Sequence, residues 1–172
     1  THPPPPQAAA HELTQEQSQS LDVILRSLEQ QNPAPIMLQG VTGSGKTEIY
    51  VHAIRSVLQK GQSSIVLVPE ISLTPQLAGI FRWHFGDQVA IQHSGLTPAQ
   101  RRDQWSQMRS AGACVLVGAR SAILAPVSRL GLIVVDEEHD PSFKQEDGVR
   151  YNARDIAIVR GKMSGATVVL GS

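Results

Sequence analysis

The chain has 172 residues, enough for one domain of ordinary size with a real interior, and 41% of them are hydrophobic, which excludes disorder for most of its length. Fifteen Lys and Arg balance fifteen Asp and Glu, so the formal charge is zero. That neutrality argues against a passive electrostatic wrapper of nucleic acid, but not against a lobe that touches a strand along one edge. The single cysteine, Cys114, rules out an intrachain disulfide and a cysteine zinc site. It sits in the apolar run Cys114-Val115-Leu116-Val117 and reads as a buried small residue rather than a reactive thiol. No apolar stretch approaches the roughly 18 residues of a membrane span, and the N-terminus has no signal-peptide pattern. No membrane partner is expected, and the expected compartment is the cytoplasm.

Residues 1–12 open with Thr1-His2 and four consecutive prolines, an extended segment with no core to join; they read as a linker, or else as a ligand for a partner. A helix begins near Leu13-Thr14-Gln15-Glu16-Gln17, with Thr14 as its cap and Gln17 at the position of a capping-box partner. Ile36-Met37-Leu38 is a short apolar run leading into a glycine loop. Thr47 to Lys60 reads as a helix stopped by Gly61. Ile65 to Val68, ended by Pro69, and Val89-Ala90-Ile91 are the next apolar runs. Thr97 to Ala111 reads as a helix, with Thr97 as cap, Pro98 in the first helical position and Gly112 beyond its end. Val115-Leu116-Val117 and Leu132 to Val135 follow, then a helix over Asn152 to Ser164 stopped by Gly165, then Thr167 to Leu170. Strands this continuously apolar are buried on both faces, as in a parallel sheet. Strand and helix in alternation predict an α/β fold, a mostly parallel sheet with helices on both faces, over residues 13–172. Ligands of such sheets bind at the carboxyl ends of the strands, where every motif below falls.

Gly40-Val41-Thr42-Gly43-Ser44-Gly45-Lys46-Thr47 is a complete phosphate loop. Gly40, Gly43 and Gly45 let the backbone curl and aim N–H groups at phosphate oxygens. Lys46 brings positive charge to the β and γ phosphates, Thr47 offers a hydroxyl to Mg²⁺, and the helix that starts here adds its dipole. The bland alternative is a glycine-rich turn with an incidental lysine. A hydrolysing phosphate-loop protein also needs a carboxylate for Mg²⁺ and a group that activates water. Leu132-Ile133-Val134-Val135-Asp136-Glu137-Glu138-His139 offers both: Asp136 for Mg²⁺ and Glu137 to take the proton, with His139 placed to sense the γ-phosphate. Gln17 has two readings. It completes the helix cap, or its amide, both donor and acceptor, reads the adenine edge of ATP.

Together these segments resemble superfamily 2 helicases of DEAH type, and among them the bacterial replication-restart helicases. The likeness is carried by Gly40 to Tyr50, Leu67-Val68-Pro69-Glu70-Ile71-Ser72-Leu73-Thr74-Pro75-Gln76, His93-Ser94-Gly95-Leu96, and Val117 to Ile123. Asp136-Glu137-Glu138-His139-Asp140 and the segment from Lys144-Gln145-Glu146 to Arg154-Asp155 complete it. The resemblance implies the first RecA-like lobe of a phosphate-loop NTPase that uses ATP and Mg²⁺ and moves 3′-to-5′ on single-stranded and forked DNA. It also implies a role at the bacterial nucleoid beside replication-restart proteins and single-stranded DNA-binding protein. It places Gln17 at the adenine, and Pro69, Glu70, Thr74, Arg120 and Ser121 along the DNA path. By chemistry alone, Arg120 suits a phosphate and Ser121 a hydrogen bond, or both belong to an ordinary loop.

The segment from Phe143 to Arg154 resembles the aromatic-rich loop of replication-restart and RecQ-type helicases. In it Phe143 and Tyr151 offer rings for bases while Lys144 and Arg154 offer cations for phosphates. The alternative packs Phe143 and Tyr151 beneath the loop as a small satellite core. The second lobe of such helicases, with its arginine finger, is absent from this sequence, as are their zinc-binding cysteines and N-terminal DNA-binding part. The chain is therefore expected to bind nucleotide weakly, to hydrolyse it slowly and not to unwind DNA alone. A small-molecule kinase or a signalling NTPase would leave the acidic-His run and the basic-aromatic loop unexplained. An adaptor with a vestigial site would have no need of Lys46, Thr47, Asp136 and Glu137 together.

Overall fold

The structure is a computed structural model that describes residues 12–39, 45–110 and 112–172. The expected linker therefore lies outside the described residues except for Glu12, and so do Gly40, Val41, Thr42, Gly43 and Ser44 of the phosphate loop and Ala111. In chain order the elements are α1 (Gln15–Leu28), β1 (Ile36–Leu38), α2 (Gly45–Gln59), β2 (Ser63–Leu67), α3 (Pro75–Phe85) and β3 (Val89–Gln92). They continue with α4 (Pro98–Ser110), β4 (Val115–Gly118), β5 (Leu130–Val135), β6 (Lys144–Gln145), β7 (Tyr151–Asn152), α5 (Ala153–Ser164) and β8 (Thr167–Gly171).

Six strands form one sheet in the order β1-β8-β5-β2-β4-β3, and every pairing is parallel. The expected α/β architecture is thus the observed one. Side chains leave the two faces in alternation, which is why the runs are apolar throughout. Val66, Val134 and Val169 join a core with Ile24 of α1, Ile49, Ile54 and Val57 of α2 and Phe81 of α3. Ile65, Leu67, Ile133, Val135, Val168 and Leu170 join a second core with Met108 of α4 and Ala157 of α5. Cys114 is buried in this second core.

Local signals explain most helix ends. Thr14 and Gln17 form the capping box of α1, and Thr97 and Gln100 exchange the same two bonds at the start of α4. Gly165 closes α5 in the left-handed conformation, with φ 73°. Two features go beyond the sequence reading. Helix α3 follows Thr74-Pro75, the same cap-then-proline signal as Thr97-Pro98, and Thr74 Oγ1 accepts from Leu77 N at 3.2 Å. The basic-aromatic segment is a hairpin, β6 against β7, with Lys144 opposite Asn152 and Gln145 opposite Tyr151.

Gly161 fixes how closely α5 rests on the sheet, because a Cβ at this buried position would overlap Val168 Cγ2 of β8. Gly161→Ala should therefore destabilise the domain by about 1–3 kcal/mol, despite the better helix propensity of alanine. The check is urea unfolding: the midpoint should fall with an unchanged slope, and an unchanged midpoint would mean that α5 can stand off β8 at no cost.

Candidate functional site

The parallel sheet brings its strand ends to one rim. Beyond β2 and β5, Asp136 N still donates to Leu67 O at 2.9 Å; beyond β8 and β5, Glu138 N donates to Gly171 O at 2.9 Å. Val68 N likewise donates to Gly118 O at 2.9 Å. These bonds set Pro69-Glu70, Ala119-Arg120-Ser121 and Asp136 to His139 side by side.

At this rim Lys46, from the first turn of α2, is buried, with its Nζ 2.7 Å from Glu137 Oε1 and 3.2 Å from Asp136 Oδ1. Burial works to lower the ammonium pKa, but the two carboxylates outweigh it and hold Lys46 above its usual value. Thr47 is the next residue of α2. Tyr50, one helical turn beyond Lys46, donates its hydroxyl to Asp136 Oδ1 at 2.8 Å. Burial first, and then the Asp136 charge, push the phenol far above its ordinary range, so it serves as a donor. A Cβ at Gly171 would overlap the Tyr50 hydroxyl, so this contact needs glycine at the end of β8. Tyr50 and Gly171 were not singled out from the sequence; a tyrosine on the buried face of a helix carries no signal of its partner.

Glu137, expected to activate water, has the backbone φ of +50°, a left-handed conformation rarely held by residues other than glycine. Its side chain is half exposed, at 52%. His139 points outward and lies with Nε2 2.8 Å from Glu138 Oε1. Gln17 uses both ends of its amide: Oε1 accepts from Thr14 N at 2.8 Å, and Nε2 donates to Gly45 O, at the start of α2, at 3.1 Å. The cap is formed, and the side chain lies beside the phosphate-loop helix.

The residues assigned to a DNA path divide. Glu70 is exposed and accepts from Ser94 Oγ at 2.6 Å, and Ser121 Oγ accepts from Gln92 Nε2 at 3.1 Å, Gln92 itself being held by Trp105 at 3.0 Å. With Arg101 and Arg120 they line one cleft, in which the Nε atoms of both arginines are buried without a partner among the described residues. Arg101, on α4, escaped the sequence reading because Arg101-Arg102-Asp103 looks like any solvated helix turn. Pro69 is buried at the end of β2, and Thr74 is occupied as the cap of α3. One assignment needs correction, and two further side chains have partners within the protein. Phe143 is buried in the second core, at 1% exposure, so its ring underpins the loop and is not offered to a base. Arg120 Nη1 donates to Ser142 O at 3.2 Å and Lys144 O at 3.0 Å, so this group tethers the start of the hairpin. Arg154 binds Glu138 Oε2 at 3.2 Å and Asp155 Oδ1 at 3.3 Å, so it is engaged within the protein. Lys144 is exposed, and Tyr151 is half-buried on an apolar groove along α5.

A buried lysine, a strand-end Asp-Glu pair and an adjoining polar cleft thus meet at the carboxyl rim of a parallel sheet, the end at which ligands of such folds bind. Comparison with known families bears on which ligands these are. The model of the DEAD/DEAH box helicases matches residues 10–171, and the chain belongs to that family, whose membership implies ATP binding. It is 49% identical over 160 residues to the replication restart protein PriA of Bacillus subtilis, covering 93% of this chain and 20% of that protein. It is 46% identical over 165 residues to PriA of Chlamydia pneumoniae, covering 95% of this chain and 22% of that protein. The chain thus spans about a fifth of the length of these relatives. RecG bound to a three-way DNA junction superposes with a TM-score of 0.69 at 22% identity, over 96% of this chain and 21% of that one. T4 UvsW superposes at 0.64 and 17% identity, over 94% of this chain and 30% of that one. At these identities the two superpositions speak for the fold alone. No helix among the described residues is long and apolar enough to cross a membrane.

Tyr50→Phe removes one hydrogen bond and little else. It should lower the unfolding free energy by about 1–2 kcal/mol, since the acceptor is charged, while leaving the circular dichroism spectrum unchanged. Guanidinium unfolding checks this; a variant as stable as the parent would show that the Tyr50–Asp136 bond merely replaces one to water.

Proposed function

We propose that this chain is the ATP-binding first lobe of a DNA helicase that acts in replication restart and primosome assembly, moving 3′-to-5′ on single-stranded and forked DNA. The observation that carries this reading is the Lys46–Asp136–Glu137 cluster at the strand-end rim, within one short loop of a cationic cleft. The donor set suits a Mg²⁺-nucleotide: one ammonium, the Thr47 hydroxyl and two carboxylates. Thr47 and Asp136 would hold Mg²⁺, which supplies positive charge to neutralise the phosphate oxygens. Lys46 would turn from Glu137 to a phosphate oxygen. Glu137, released from that ion pair, would then take a proton from water. His139 stands beside it on the same turn and would sense the γ-phosphate, and Gln17, where α1 meets the phosphate-loop helix, would exchange its present partners for the adenine edge.

On this reading the chain works with a second lobe of the same polypeptide and with replication-restart proteins, single-stranded DNA-binding protein among them, in the bacterial cytoplasm at the nucleoid. Single-stranded DNA would run along the rim past Glu70, Ser121 and Lys144. The lobe alone should hold nucleotide weakly, hydrolyse it slowly and not unwind DNA, because translocation needs two lobes that open and close.

The test is ATP hydrolysis by the full-length protein with and without single-stranded DNA, beside Glu137→Gln. Stimulation by DNA is expected in the parent, with a loss of about a hundredfold or more in the variant. Hydrolysis indifferent to DNA would sink the motor reading in favour of a non-motor phosphate-loop enzyme.

A further inference from the structure

Between outward-facing Glu137 and His139 stands a carboxylate that faces the other way. The Glu138 side chain is only 3% exposed. Its two oxygens are divided: Oε2 lies 3.2 Å from Arg154 Nη1, and Oε1 lies 2.8 Å from His139 Nε2. A carboxylate out of water needs a cation and hydrogen bonds, and Arg154 supplies a guanidinium from 16 residues further along the chain. The intervening residues include the whole β6–β7 hairpin, whose other end Arg120 holds through Ser142 O and Lys144 O. The hairpin is therefore attached at its exit to the acidic motif itself.

The neighbour of Glu138 is the left-handed Glu137. A residue with a Cβ keeps that conformation only where its surroundings fix it. Besides the Lys46 ion pair on its side chain, three contacts hold the backbone around it: Asp140 N donates to Glu137 O at 2.9 Å, Glu138 N donates to Gly171 O at 2.9 Å, and the Glu138 side chain is anchored by Arg154. The first two are local to the turn and the strand end. Only the third answers to the hairpin.

We infer that Glu138 and Arg154 are a positioning pair: their contact, at the foot of the hairpin, fixes the backbone turn at Glu137 and with it the place from which the Glu137 carboxylate acts once Lys46 has let it go. Neither residue touches the reacting atoms. The inference rests on the helicase reading above and adds to it two side chains that position the water-activating carboxylate.

The test uses the full-length protein. Glu138→Gln keeps the shape and removes the charge, so kcat for DNA-stimulated ATP hydrolysis should fall about tenfold or more, as for a misplaced catalytic group. KM for ATP and Kd for an oligo-dT strand should stay within about twofold, since neither ligand is touched. Amide exchange over residues 137–140 should quicken in the same variant, a readout independent of turnover. The double variant Glu138→Gln/Arg154→Ala should be within about twofold of the slower single one, because the two residues act as a unit. Arg154→Lys, which keeps the charge but not the fork, should fall between parent and Arg154→Ala, and it decides the matter where Glu138→Gln does not fold. Parental kcat and exchange in Glu138→Gln would overturn the inference, as would a loss matched by an equal rise in DNA Kd, losses that multiply in the double variant, or parental kcat in Arg154→Lys. Absence of DNA stimulation in the parent would fell the helicase reading and this inference with it; stimulation in the parent and an unimpaired Glu138→Gln would fell this inference alone.

Discussion

A lysine taken almost wholly out of water must find negative charge, and that requirement organises the rim of this sheet. Lys46 belongs to the helix after β1, whereas its counter-charges, Asp136 and Glu137, follow β5, and β8 lies between those strands. The pair can meet only by reaching over the end of β8. That end is Gly171, which has no side chain to obstruct the parallel reach of Tyr50 to Asp136. One sheet order, one glycine and one buried charge thus account for why three segments far apart in sequence share a site.

Much of the framework could be read from composition patterns, because burial on both faces forces unbroken apolar runs; all six sheet strands lie where such runs stand. What escaped did so for physical reasons. Helix α3 was hidden because Thr74 was read for the DNA path, though Thr followed by Pro also marks the start of α4. The hairpin strands have two residues each, too few for any period to show. The left-handed backbone at Glu137 has no sequence signal, since only glycine advertises that conformation.

The chemistry was legible to a different depth. Residue types announce which groups can bind a phosphate, but not whether a given cation is already spoken for. Arg120 and Arg154 have the composition of strand-binding residues and are engaged, in this structure, with the protein's own carbonyls and carboxylates. Their partners, two main-chain oxygens and a glutamate buried in the acidic motif, become visible only once the chain is folded. Phe143 illustrates the same limit for aromatics: a ring in a basic loop can serve a base or the core, and here burial takes it for the core.

The two tethers of the hairpin differ in kind. At its entrance Arg120 grips main-chain oxygens, which every amino acid supplies equally, so positions 142 and 144 can drift in identity while the attachment persists. At its exit, side chain meets side chain, and a change at either Glu138 or Arg154 must be answered by the other. Among relatives of this chain, the entrance of the hairpin should therefore be free to diversify toward different strand surfaces, and the exit should be the end that evolution leaves alone.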